Sequence, residues 1–144
     1  MSVSSAVLRT HVHATEDREK VLAALRNTLP PSLRETVEVE SESYEGHYGN
    51  RIEVLTVELR DSEEAGALLS YLLESLGDAD RRLLLATLAE RVDESGSLYL
   101  RLDKQSAYRG VLELSDGDDV IKIEIRVEGG RRGALRILKE VLSR

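Results

Sequence analysis

The chain has 144 residues, 41% of them hydrophobic and 33% charged, with a formal net charge of −7 and no cysteine, tryptophan or phenylalanine. That length and balance suit one globular domain over residues 1–144 and exclude a disordered chain. The missing cysteines exclude disulfides, thiolate metal centres and cysteine nucleophiles, and no apolar run approaches the roughly 18–20 residues of a membrane span.

The opening M-S-V-S-S-A-V-L-R-T carries no basic region followed by an apolar block, so a cytoplasmic protein is expected. Val7–Ala14 reads as a first strand, with Leu8, Thr10, Val12 and Ala14 on one face. Thr15 offers an N-cap, followed by Glu16 and Asp17 where a helix dipole favours negative charge. The helix carries Val21, Leu22, Leu25 and Leu29 on one side and stops at Pro30-Pro31. Glu35–Ser43 alternates Val37, Val39, Ser41 and Ser43 with glutamates, which predicts an acidic edge strand. The turn E-G-H-Y-G-N leads into Arg51–Leu59, apolar on both faces and therefore central in a sheet.

Asp61-Ser62-Glu63-Glu64 reads as a capped helix start, and Leu68, Leu69, Leu72, Leu73 and Leu76 continue it to Gly77. A second helix follows with Leu84, Leu85, Leu88 and Val92. Leu98–Asp103 is a strand that turns Tyr99, Arg101 and Asp103 away from the leucines, and Lys104, Gln105, Tyr108 and Arg109 follow in a short basic loop. Strands Gly110–Leu114 and Val120–Val127 are predicted to form a hairpin across S-D-G-D-D. Gly129-Gly130 opens a last helix with Ala134, Leu135, Leu138, Val141 and Leu142.

The predicted order is β-α-β-β-α-α-β-β-β-α, an α+β fold in two layers, with helices on one face of a largely antiparallel sheet. Its other face would be open and polar, carrying Arg9, His11, His13, Tyr99, Arg101, Lys122 and Arg126. The core must be filled by aliphatic residues, and the excess of Arg, Glu and Leu over amides resembles heat-adapted proteins. Overall acidity argues against a general coater of nucleic acid, but charge is segregated. Glu35–Glu45 holds five glutamates and no base, whereas Arg126–Arg144 holds six cations against two glutamates.

Two segments, E-G-H-Y-G-N-R at Glu45–Arg51 and L-Y-L-R-L-D-K-Q at Leu98–Gln105, resemble the hallmark stretches of a small archaeal family of RNA-binding proteins associated with the exosome. The opening L-R-T-H-V-H-A-T-E-D and the final hairpin and helix fit as well, so the resemblance covers nearly the whole chain. It implies a fold similar to the large-subunit ribosomal protein that holds the small ribosomal RNA, and a non-catalytic role near RNA processing or ribosome production. Carried over by position, the motifs supply Glu45, Gly46, His47, Tyr48, Gly49 and Asn50, then Arg101, Asp103, Lys104 and Gln105. The family often has proline after Gly-Asn; here Arg51 stands there and adds a cation.

Candidate RNA-contacting residues are therefore His47, Tyr48, Asn50, Arg51, Tyr99, Arg101, Lys104, Gln105, Tyr108 and Arg109. Cations and amides suit phosphate and sugar, and tyrosines can stack on unpaired bases. A plainer reading pairs Asp103 with Arg101 or Lys104 and uses the tyrosines to cover core edges. The Gly46–Asn50 turn either offers backbone N–H groups to an anion or simply needs glycine's positive φ. His11 and His13 have a metal-compatible spacing without an evident third ligand, and Asp116, Asp118 and Asp119 are explained by an Asp-Gly turn. An enzyme would use His47 with Asp103 or Lys104, but no nucleophile motif, phosphate loop or carboxylate pair accompanies them. The expectation is RNA as partner, with exosome or ribosomal components and a second copy of the chain as further candidates, and no membrane, cofactor or metal. The rival is a protein-interaction or dimerisation module.

Overall fold

The computed structural model describes residues 2–144. Five strands form one sheet: β1 (Val3–Val12), β2 (Glu40–Glu45), β3 (Arg51–Leu59), β4 (Ser97–Asp103) and β5 (Val120–Val127), in the spatial order β2-β3-β1-β5-β4. Every neighbouring pair is antiparallel. Five helices join them: α1 (Arg18–Asn27), α2 (Ser62–Ser75), α3 (Asp78–Arg91), α4 (Lys104–Tyr108) and α5 (Gly130–Leu142). The open α+β sheet thus agrees with the expected architecture. No helix of the described residues is long and apolar enough to cross a membrane.

Strand alternation sets the two faces. Leu8 of β1, Leu55 and Val57 of β3, Leu98, Leu100 and Leu102 of β4, and Ile121, Ile123 and Ile125 of β5 are essentially inaccessible and join the helix leucines in one apolar cluster. Branched aliphatics pack well on a pleated surface, which compensates for the lack of large aromatics. The α2 start is fixed as expected: the Asp61 carboxylate accepts from the Glu63 and Glu64 amides at 2.8 and 3.3 Å.

Five local expectations are corrected. Asp17, not Thr15, caps α1, its carboxylate accepting from the Glu19 amide at 3.0 Å. β1 begins at Val3 and ends at Val12, leaving His13 and Ala14 in the following turn. β2 starts at Glu40 rather than Glu35, because a short 3-10 turn after Pro30 continues through Thr36 and Val37, whose amides both donate to the Leu33 carbonyl at 3.2 Å. Gly110–Leu114 is no strand and the expected basic loop before it is helical. With α4 inserted, the chain returns irregularly and meets β4 only at the Leu102–Leu114 bridge, and the Leu114 amide turns to Asp80 at 2.9 Å.

Candidate nucleic-acid interface

The face of the sheet away from the helices is uncovered. Register brings Arg9 of β1 opposite Lys122 of β5, and Lys122 opposite Arg101 of β4, so three cations on adjacent strands form one transverse row. Like charges directly opposite one another destabilise a sheet. Among the described residues, none of the ion pairs relieves this row. Arg101 is steadied by donating from Nη2 to the Gly117 carbonyl at 2.6 Å, which ties the S-D-G-D-D turn to β4. Arg9, Arg101 and Lys122, with Val7, Tyr99 and Glu124, line an open hollow of ≈ 400 Å³.

The rest of the same face is acidic. The row continues from Arg9 to Thr56 and Glu40, and Glu42 and Tyr44 share that side of β2. The Tyr44 hydroxyl donates to Glu42 at 2.7 Å, and this bond first, then the glutamate's charge, raises the phenol's pKa. The face is thus bipolar: basic over β1, β5 and β4, acidic over β2 and β3.

Strand direction gathers the two sequence motifs at one end of the sheet. Val12 pairs with Glu53 and Asp103 with Val120, so the β2–β3 hairpin, the end of β1 and the β4–α4 junction lie along a common margin. At about 4.8 Å per strand, hairpin and junction stand roughly 15 Å apart across it. The hairpin tip is fully presented: Tyr48 is 87% exposed, with the His47 ring edge-on at 5.0 Å. Gly49 takes φ +77°, which favours glycine there, and a Cβ on Gly46 would lie 3.1 Å from the Asn50 carbonyl oxygen that its own amide engages. Asn50 and Arg51 are exposed beside it.

At the other motif the candidate residues part company. Lys104 is only 2% exposed, and its ammonium is enclosed by the His11 carbonyl at 2.8 Å, Glu16 at 3.1 Å and Asp119 at 2.9 Å. It clasps β1, the β1–α1 turn, α4 and the start of β5 together, away from open solvent. Burial opposes ionisation of Asp119, but hydrogen bonds from Gln105 and Lys104 outweigh it and hold the carboxyl below its usual range. Gln105 is exposed and donates to Asp119 at 3.0 Å. Asp103 caps α4 through the Ser106 amide at 2.9 Å, not through Arg101 or Lys104. Tyr108 is turned toward α1, under the Lys20 ammonium at 5.8 Å, and lines a small cleft with Asp17 and Val21. Arg109 is exposed at the end of α4. Neither residue joins the open sheet face.

Tyr99 does. Its hydroxyl donates to Asp93 at 2.9 Å while its ring remains 44% exposed. The bond to Asp93 first, then burial and Glu124, push the phenol up to about 12. Asp93 in turn is held at about 2, chiefly by the Ser97 amide, then by the Ser95 and Tyr99 hydroxyls. His11 titrates below its ordinary value, first because of burial and then because His13, Lys122, Lys104 and Arg9 repel a further charge. His11 and His13 stack at 6.3 Å, and among the described residues no group of three His, Cys, Asp or Glu side chains could hold a metal. In the basic C-terminal segment, Arg131 donates to the Ala89 and Val92 carbonyls at the end of α3. The remaining α5 cations belong to the helix layer, opposite the open face.

Arg9, Lys122 and Glu124 are absent from the motif-based site, although alternation already placed Arg9 and Lys122 on the open face. Register was the missing signal. The model of a family described as RNA binding matches residues 5–127. The chain belongs to this RNA-binding family. A protein of Pyrococcus abyssi named RNA-binding protein PAB1135 is 42% identical over 122 residues, 84% of this chain and 79% of that one. The uncharacterized protein MJ0213 of Methanocaldococcus jannaschii is 32% identical over 83% of this chain and 81% of its own length. The solved structure of Mth689 from Methanothermobacter thermautotrophicus, a DUF54 protein, superimposes with a TM-score of 0.82 at 34% identity, covering 99% of each chain.

Proposed function

We propose that this protein is a cytoplasmic, non-catalytic RNA-binding protein that holds an unpaired or partly structured RNA along the hairpin end and the basic half of its open sheet face. The carrying observation is the row Arg9–Lys122–Arg101, three cations in register without carboxylate partners on a chain of net charge −7. Sheets do not gather like charges for stability, so the row implies an anion that neutralises it. Tyr48 supplies a stacking surface at the tip, Asn50, Arg51 and Gln105 add donors, and the His11 imidazole offers hydrogen bonds between the two motifs. Lys104 serves by holding this end of the sheet together. Membership of the family and the name of the Pyrococcus abyssi relative support RNA as the partner. A place near exosome-linked processing or ribosome production rests on the resemblance of the two motifs.

The test is equilibrium binding of nuclease-free protein to hairpin, duplex and single-stranded RNAs at two salt concentrations. Replacing Arg9→Glu and Lys122→Glu together should weaken binding at least about tenfold and lower the log–log salt slope by about 1.4 for a single strand. Unchanged affinity in a folded double variant removes this surface from the interface.

The rival reading, a protein-interaction module, rests on β2, an edge strand whose six residues are all exposed. Pairing it with a second copy across a two-fold axis would set its glutamates among one another, so this edge fits a basic partner strand better than itself. The Arg9/Lys122 variant leaves β2 intact and separates the two readings.

A further inference from the structure

Within the open hollow, Glu124 stands between Lys122 and Arg126 along β5, with Val7 opposite it on β1 and Tyr99 opposite it on β4. It is half-buried, and none of the ion pairs among the described residues engages it. The neighbouring Tyr99 hydroxyl donates its one proton to Asp93 at 2.9 Å although Glu124 also lies close to it, and the bond holds the ring as one wall of the hollow. An ionised carboxylate is an acceptor only, so what completes it must bring donors. The walls are one aromatic and one aliphatic side chain, suited to a flat ring. The cation row begins two residues away on the same strand, about 7 Å along the sheet, a span that separates a nucleotide's base from its phosphate.

Among the four RNA bases, guanine alone presents two adjacent N–H donors, at N1 and the exocyclic amine, matched to both oxygens of one carboxylate. Adenine and cytosine set an acceptor beside their amine, and uracil flanks its single N–H with carbonyls. We propose that this hollow reads one unpaired guanine in RNA: Glu124 accepts from its Watson–Crick edge, Tyr99 and Val7 cover its ring, and Lys122 with Arg9 and Arg101 holds its phosphate. The assignment rests on the RNA-binding reading above and gives it a base preference.

The experiment measures fluorescence anisotropy of labelled UUGUU, UUAUU and UUIUU pentaribonucleotides at low salt, with the native chain and Glu124→Gln. One bidentate base contact predicts that UUGUU binds about tenfold tighter than UUAUU. Inosine lacks the exocyclic amine and should fall between them. Glu124→Gln, verified as folded by circular dichroism, should bring the guanine and adenine probes within about threefold of each other, because its amide replaces one acceptor by a donor. Equal affinity of the native chain for all three probes overturns the guanine assignment while leaving RNA binding intact. Guanine preference that persists in Glu124→Gln overturns the role of Glu124. No binding of any pentamer overturns this inference, and the RNA-binding reading falls with it only if the hairpin, duplex and single-stranded RNAs above also fail to bind.

Discussion

Lys104 belongs to the motif that carries the family resemblance, yet its surroundings are those of a structural clasp, and the distinction can be measured. In Lys104→Met the hydrocarbon stem stays packed while the ammonium is lost. Removing one member of a fully buried pair costs about 3–5 kcal/mol. Here the partner side chains, Glu16 and Asp119, are 20% and 48% exposed, so water recovers much of that cost. An electrostatic share of about 1–2 kcal/mol remains. The His11 carbonyl loses a donor at 2.8 Å, which adds about 1 kcal/mol. The expected total of about 2–3 kcal/mol lowers the melting temperature by roughly 5–12 °C for a chain of this size. Urea unfolding gives the free energy directly, and a cycle with Asp119→Asn should be non-additive because the two share one network. If Lys104 instead reached outward to phosphate, the substitution would leave stability within about 0.5 kcal/mol and reduce the salt dependence of RNA binding. That combination refutes the clasp.

Tyr48→Ala removes an 87% exposed ring, so stability should change by less than about 0.5 kcal/mol while affinity for a single-stranded RNA falls by the roughly 1–3 kcal/mol of one stacked base; unchanged affinity excludes the tip. Gly96→Ala would place its Cβ 2.5 Å from the Val127 carbonyl oxygen and 2.9 Å from that of Gly130, at φ +91°. A loss of about 3 kcal/mol is expected, and urea unfolding showing less than about 1 kcal/mol would contradict the described turn. Asp93, held at about 2, contributes stability that is present above the ordinary aspartate range and lost as pH falls through about 2; carbon NMR titration of its carboxyl should find that midpoint, and a value near 4 refutes the network. Tyr99 has the opposite sign: its contribution is complete below pH 10 and lost as pH rises through about 12, so Tyr99→Phe should delete the most alkaline phase of the ultraviolet titration.

The alternating leucines of β4 and isoleucines of β5 made the two faces legible, because a period of two assigns each side chain without knowledge of its neighbours. The Asp61 cap and the leucine stripe of α2 were legible for the same local reason. Lys104 was not. Its burial depends on the His11 carbonyl and Asp119, remote in sequence and brought together only when β1, β4 and β5 pair. The five-residue α4 is capped by Asp103 and packed against α1, where Asn27 donates to the Ala107 carbonyl at 2.9 Å, a tertiary contact that outweighs weak local helical preference. Hence a stretch with the composition of a binding loop divides into a clasp, a cleft facing α1 and one exposed arginine. The hairpin, whose geometry is local, kept all four of its candidates exposed.

A chain of net charge −7 can hold a polyanion only if the attraction is local, and the acidic flank then decides where the polyanion lies. β2 stands two strands from β1, about 10 Å, which is one Debye length at 0.1 M salt. Phosphates over Lys122 and Arg101 lie beyond that distance and are largely screened from Glu40 and Glu42, one over Arg9 is screened least because Arg9 lines a common hollow with both carboxylates, and phosphates carried over β3 would meet them directly. A rigid duplex laid across the sheet would have to cross them. A flexible single strand can instead follow the margin from Tyr48 and Arg51 past His11 and descend onto the cation row. Raising salt weakens the phosphate attraction, so loosening should proceed from the row and leave the stacked contact at the tip as the last to release.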